Sequence, residues 1–78
     1  MREKQLRIIV TFQTTTDAMT MEKLCIENSV PGRLIPVPRE ITAGCGMAWS
    51  APPETRDEVC QITKAHRLGI SGIYEMMI

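Results

Sequence analysis

The chain opens with an alternation of apolar and polar positions. Residues 6–12, LRIIVTF, are mostly β-branched or aromatic and repeat with a period of two, which predicts a strand with one buried face. We expect Ile9 on the opposite, exposed face of the sheet. The four side chains predicted to line the buried face, beneath the helices, are Leu6, Ile8, Val10 and Phe12.

Residues 16–28 change to helical spacing. Thr14, together with Asp17 or a neighbouring threonine, can cap the start of this helix. Residues 28–32, NSVPG, contain the residue types that stop a helix. The side chains predicted to form the apolar stripe are Ala18, Met21, Leu24 and Cys25.

Two short strands with a polar loop between them are predicted next. Residues 33–37 form the first, and its prolines, Pro36 and Pro38, place it at a sheet edge because proline cannot donate a ladder hydrogen bond. Residues 40–46 are expected to be a loop. Residues 47–50 form the second strand.

The last third predicts one more helix and one more strand. Thr55 and Glu58 have the spacing of a capping box at the start of a helix over residues 55–67. Its apolar face is expected to carry Val59, Ile62 and His66. Gly69 suits the position just after a helix, and the final strand is predicted over residues 73–78.

The order β-α-β-β-α-β indicates an α+β, ferredoxin-like sandwich. We predict one domain over residues 1–78, with a four-stranded antiparallel sheet and both helices on one face. The first and last strands are expected to pair in the centre, and the proline-rich strand to lie at an edge.

Composition narrows the function classes. Nine Lys/Arg balance nine Asp/Glu, and one Phe, one Tyr and one Trp are present. A nucleic-acid-binding protein usually carries an excess of basic residues or a set of stacking aromatics. Because this chain has neither, we do not predict that it binds nucleic acid. The chain has no apolar run long enough for a membrane span and no signal peptide pattern, so a cytoplasmic location is expected.

Three cysteines, Cys25, Cys45 and Cys60, are spaced without a CxxC pair. An odd number leaves at least one unpaired, and thiols are expected in a reducing cytoplasm. A zinc site would have to recruit His66 without any local ligand pair, so neither a metal nor a cofactor is predicted.

Cys45 is the candidate functional residue. Gly44 and Gly46 flank it, which leaves its thiol without bulky neighbours and lets the backbone adopt positive φ. Their N–H groups could form an anion-binding nest that stabilises a thiolate. Arg39, at the other end of the loop, could orient the thiolate or an anionic donor.

The segment PxPREIxxGCGMA resembles a small bacterial family of selenium/sulfur carrier-like proteins. The resemblance covers essentially the whole chain, and its specific part is the Pro-Arg pair followed by Cys45-Gly46. It implies that Cys45 holds a sulfur or selenium atom between donor and acceptor proteins. Such a protein is a carrier rather than an enzyme with turnover.

Two alternatives stay open at this level. One is a non-enzymatic binding or regulatory module built on the ferredoxin-like sheet. The other is a thiol redox sensor, in which Cys60 would act as the resolving thiol for Cys45. His66 is interpreted as a partly buried or surface histidine rather than a catalytic base, although it titrates in the useful range, and whether it assists Cys45 is left open. A homodimer through the uncovered sheet face or an edge strand is a further prediction.

Overall fold

The computed structural model describes residues 5–41 and 46–77. Within them the predicted order of elements is confirmed, with a short 3₁₀ turn at Pro53–Thr55 before the second helix. The strands and helices are β1 (Leu6–Phe12), α1 (Thr15–Glu27), β2 (Arg33–Pro36), β3 (Met47–Ala51), α2 (Arg56–Ala65) and β4 (Ile70–Met77).

The four strands form one antiparallel sheet in the order β2-β3-β1-β4, which is the ferredoxin-like arrangement. β2, with Pro36 in it, lies at an edge as predicted. β4 does pair with β1, but the expectation that both are central is wrong. Because β3 pairs with both β2 and β1, the only place left for β4 is the outer side of β1.

The main core lies between the sheet and the two helices. Ile8, Val10 and Phe12 are fully buried there, as the alternation predicts. Leu6 is not: 45% of it is exposed, because it pairs with Met77 at an end of the sheet where Met77 is itself 54% exposed. The remaining buried members of this core are Ala18, Met21, Cys25, Trp49, Ala51, Val59 and Ile62.

A second, smaller core lies on the other side of the sheet, which we call the loop face. The prediction that Ile9 is exposed there is wrong, because Ile9 is 0% exposed and packs with Ile41 and Ala48. Residues 37–41, which follow β2, fold back against the centre of this face and bury Ile9. The partly buried side chains around this cluster are Ile35, Val37 and Met76.

The two helix starts differ. α1 has the predicted cap, in which the Asp17 N–H donates to Thr14 Oγ1 at 3.1 Å. The capping box at Thr55 is not formed, since its side chain makes no cap hydrogen bond to α2. Instead the Thr55 hydroxyl donates to the Pro52 carbonyl at 2.7 Å and closes the preceding 3₁₀ turn.

Both helices end in the same way. The residues just past the C-caps, Ser29 and Arg67, have φ of 57° and 52°, and the next N–H closes back onto the helix. Val30 N–H donates to the Cys25 carbonyl at 2.8 Å, and Leu68 N–H donates to the Thr63 carbonyl at 3.1 Å. These are Schellman motifs, and the predicted role of Gly69 passes to Arg67.

Candidate functional site

The loop between β2 and β3 is fixed at both of its ends. Val37 N–H donates to the Gly46 carbonyl at 3.1 Å, which adds one rung beyond the last paired residues, Pro36 and Met47. The segment 38–45, which contains the candidate cysteine, is therefore closed by a hydrogen bond at its base. Such a closing hydrogen bond limits the number of conformations that the loop can adopt.

The first part of this loop is a turn. Ile41 N–H donates to the Pro38 carbonyl at 3.0 Å, so Arg39 and Glu40 occupy the two central positions and are exposed. Ile41 itself is only 8% exposed and packs on Ile9. The turn is thus held against the loop face by its apolar end, while its charged residues face solvent.

Cys45 and Gly44 belong to residues 42–45, which lie outside the described residues. The neighbouring Gly46 is exposed and has φ of +78°. A Cβ at this position would meet no atom within 4 Å, so the left-handed backbone rather than crowding favours glycine here. Positive φ beside Cys45, expected from the flanking glycines, is observed at Gly46.

Cys25 has the environment of a structural residue. It is 0% exposed within α1, and burial raises the pKa of its thiol from 9.0 to about 11. With this pKa the Cys25 thiol is almost entirely protonated near neutral pH. The thiolate is the reactive form of cysteine, so Cys25 is a poor nucleophile there. Its sequence assignment to the core is confirmed.

Cys60 is a free, half-buried thiol in α2. α2 packs on the helix side of the sheet, whereas Val37 and Ile41 pack on the loop face. The sheet therefore separates the described parts of the loop from Cys60. His66 is exposed at the C-cap of α2, so the expectation that it shares the apolar face with Val59 and Ile62 is wrong.

One polar contact on the loop face was not anticipated from the sequence. Arg7 Nε donates to Ser50 Oγ at 3.1 Å, and Arg7 Nη2 donates to the Ser50 carbonyl at 3.3 Å. Arg33 is the residue paired with Ser50 on β2, so it lies on the same face. Arg7 and Ile9 are two positions apart in β1, so they share one face of the strand. This period was the signal in the sequence that could have placed Arg7 beside the second core.

The part of the chain that the structure describes contains neither a cluster of metal-binding side chains nor a membrane-spanning helix. Over residues 5–41 and 46–77, no group of three or more His, Cys, Asp or Glu side chains could hold a metal ion. None of the helices in those ranges has the length and apolar character needed to cross a bilayer.

The architecture is that of a small α+β, ferredoxin-like sandwich with a cysteine-containing loop between its second and third strands. The family model described as Putative Se/S carrier protein-like matches residues 7–75, and the chain belongs to that family. No curated protein and no solved structure matches the chain.

Proposed function

We propose that this protein is a sulfur or selenium carrier and that Cys45 is the residue that holds the chalcogen. Family membership over residues 7–75 is the observation that carries the proposal. Two features of the chain support the choice of cysteine. Cys25 is buried with a raised pKa, and Cys45 follows a loop segment that is anchored to the sheet at Val37 and Ile41.

Loading is a thiol exchange at a persulfide. The Cys45 thiolate attacks the terminal sulfur of a donor persulfide, and a new S–S bond forms. The donor's own S–S bond breaks, and its electron pair leaves on the donor thiolate. The hydrogen of the terminal sulfur stays with the transferred atom, so Cys45 becomes a persulfide without a net change in oxidation. A selenium atom gives a selenosulfide by the same exchange.

The neighbours of Cys45 are proposed to assist this step. The left-handed φ of Gly46 is one half of the alternating backbone geometry that directs successive N–H groups toward an anion, and Gly44 would contribute to the same nest. Arg39, exposed at the tip of the turn, would orient the thiolate or the donor. Neither role requires a metal or a cofactor.

A thiol sensor is the first alternative. It would join Cys45 and Cys60 in a disulfide, which requires their Cα atoms to lie within about 7 Å. The position of α2 on the side of the sheet opposite Ile41 disfavours that pairing. The second alternative, a binding or regulatory module, would function without Cys45.

The test is loading by a cysteine desulfurase. The protein is incubated with the enzyme and L-cysteine without reductant, and its intact mass and peptide map are measured. We expect the mass of one added sulfur atom on Cys45, and no addition in Cys45→Ser. Cys45 should also be alkylated fastest of the three thiols, well below the free-cysteine pKa of about 8.5.

Cys60→Ser is the matched control, because it removes a half-buried thiol from the helix layer. It should load as the wild type does. Sulfur spread equally over the three cysteines would overturn the carrier proposal. An intramolecular Cys45–Cys60 disulfide after mild oxidation, with no loading, would favour the sensor, and unchanged partner binding in Cys45→Ser would favour the binding module.

The proposed partners are proteins: a donor that carries a persulfide or selenosulfide and an acceptor that receives it. A cytoplasmic location, where thiols stay reduced, completes the proposal.

A further inference from the structure

The described charges are segregated between the two sides of the sheet. On the loop face lie Arg7, Arg33 and the exposed turn residue Arg39, against one carboxylate, Glu40. The helix side carries an acidic excess, in which Glu75 pairs with Arg56. The acidic residues of the helices and the 3₁₀ turn are Asp17, Glu22, Glu27, Glu54, Asp57 and Glu58, and the other basic residues on that side are Lys23, Lys64 and Arg67.

The loop face also has the layout of a protein interface. Its centre is apolar, with Ile35, Val37 and Met76 partly buried around the second core and Tyr74 40% exposed beside it. Arg33 at its rim is exposed and has no ion-pair partner among residues 5–41 and 46–77. An apolar centre with a charged, arginine-containing rim is typical of surfaces that bind other proteins.

We propose that the loop face is the docking surface for the protein that donates the sulfur atom, and that this donor presents an acidic surface. The inference rests on the proposed carrier function, because it assigns a partner to the same loop. Four residues at about 3.3 Å each place the Arg33 Cα about 13 Å along the strand from Val37, where the loop is anchored. A partner that covers this distance spans both the arginines and the anchored base of the loop.

A second copy of this chain is a poorer occupant. A two-fold dimer through the loop face would bring Arg7 and Arg33 of one copy against the same arginines of the other, and like charges repel. Packing the acidic helix side of one copy on the loop face of the next joins different surfaces, which gives a ring or an open chain of copies rather than a two-fold dimer.

The experiment compares two sulfur donors. Loading of Cys45 is followed by intact mass, first with the cysteine desulfurase of the same organism and L-cysteine, then with glutathione persulfide. The test variant is Arg33→Glu, and the matched control is Lys64→Glu, an equal charge reversal at an exposed position of α2. Arg33→Gln provides a milder version, and circular dichroism verifies the fold of each.

We expect Arg33→Glu to slow loading from the desulfurase by about 3- to 10-fold at low salt, because steering by opposite charges is lost. The difference should vanish at 1 M salt, where the screening length is about 3 Å. Arg33→Gln should show a smaller loss of the same sign. Lys64→Glu should load at the wild-type rate, and glutathione persulfide should load all variants equally.

Each other result overturns the proposal in a distinguishable way. Loading by both donors with no effect of Arg33→Glu removes the docking surface and leaves the carrier function intact. If glutathione persulfide loads the wild-type protein but the desulfurase does not, the docking surface is likewise removed and the carrier function stays intact. Failure of both donors removes the carrier function, and the docking proposal with it.

Two further results would assign the loop face to another occupant. Self-association at low salt that both Arg33→Glu and Lys64→Glu abolish would indicate a second copy. Binding of a duplex oligonucleotide that Arg33→Glu abolishes would indicate a nucleic acid.

Discussion

Burial keeps the Cys25 thiol protonated, so this residue contributes to the stability of the fold rather than acting as a nucleophile. Its pKa of about 11 in the folded protein exceeds the value of 9.0 for an unburied thiol, so the folded state holds the proton more tightly than the unfolded state does. A group of this kind stabilises the fold below the unfolded pKa. That contribution is lost as the pH rises through the folded pKa.

We therefore predict a fall in stability between pH 9 and pH 11 that depends on Cys25. A shift of this size corresponds to a loss of up to about 3 kcal/mol across that window. Denaturant unfolding at pH 8, 9, 10 and 11 would measure it. Cys25→Ala should be less stable at pH 8 but decline less steeply, and equal slopes in the two proteins would contradict the assignment.

Thr55 also stabilises the fold, through a different contact from the one its sequence suggests. Thr55→Ala should cost about 1 kcal/mol, because the protein loses the hydrogen bond from the buried Thr55 hydroxyl to the Pro52 carbonyl. Thr55→Ser keeps the donor and should lose less. Urea unfolding followed by Trp49 fluorescence measures both, and an unchanged midpoint in Thr55→Ala would exclude a role for the hydroxyl.

At the scale of elements, the start of β2 depends on one close approach. Gly32 has φ of +152°, and a Cβ there would lie 2.6 Å from Trp49 Cζ2 and 2.7 Å from the Ser50 carbonyl oxygen. The chain leaving α1 therefore passes directly against β3. Only glycine meets both the backbone and the steric requirement.

Gly32→Ala and Gly46→Ala form a matched pair for this point. Both place a side chain at positive φ, which costs about 1–2 kcal/mol. Gly46→Ala has no steric cost beyond this backbone strain, since no atom lies within 4 Å of the new Cβ. Gly32→Ala must also displace Trp49 or the β3 backbone, so it should destabilise the protein by about 1–3 kcal/mol beyond Gly46→Ala. Thermal unfolding compares the two, and equal losses would contradict the close approach.

At the scale of the whole molecule, the sheet has a core on each face, and β4 is the edge without prolines. β2 carries Pro36, but residues 70–77 contain none, and no strand of residues 5–41 and 46–77 pairs with their outer side. An unprotected edge strand is a template for pairing with another chain. Dimerisation through β4 would leave the loop face free for a partner.

We predict a homodimer through this edge, detectable by sedimentation velocity over a wide concentration range. The dimer should resist 1 M salt, because backbone hydrogen bonds rather than exposed charges would hold it together. A single monomeric species at every concentration would contradict it. Persistence of the dimer in Arg33→Glu would separate this contact from the loop face.

Local patterns were sufficient for the element order, the buried face of β1 and the cap of α1. These depend on neighbours within a few residues: the period of two buries Ile8 and Val10, and Thr14 caps an N–H three residues away. Cys25 was assigned to the core for the same reason. The family resemblance carried by the Pro-Arg pair and Cys45-Gly46 was confirmed by the match over residues 7–75.

Tertiary contacts decided the rest. Ile9 is buried because Ile41, far along the chain, folds back over the loop face, and no local period encodes that contact. β4 lies at an edge because β3 already occupies the other side of β1. A periodic pattern specifies which side chains share a face, whereas burial of that face depends on what the chain later packs against it.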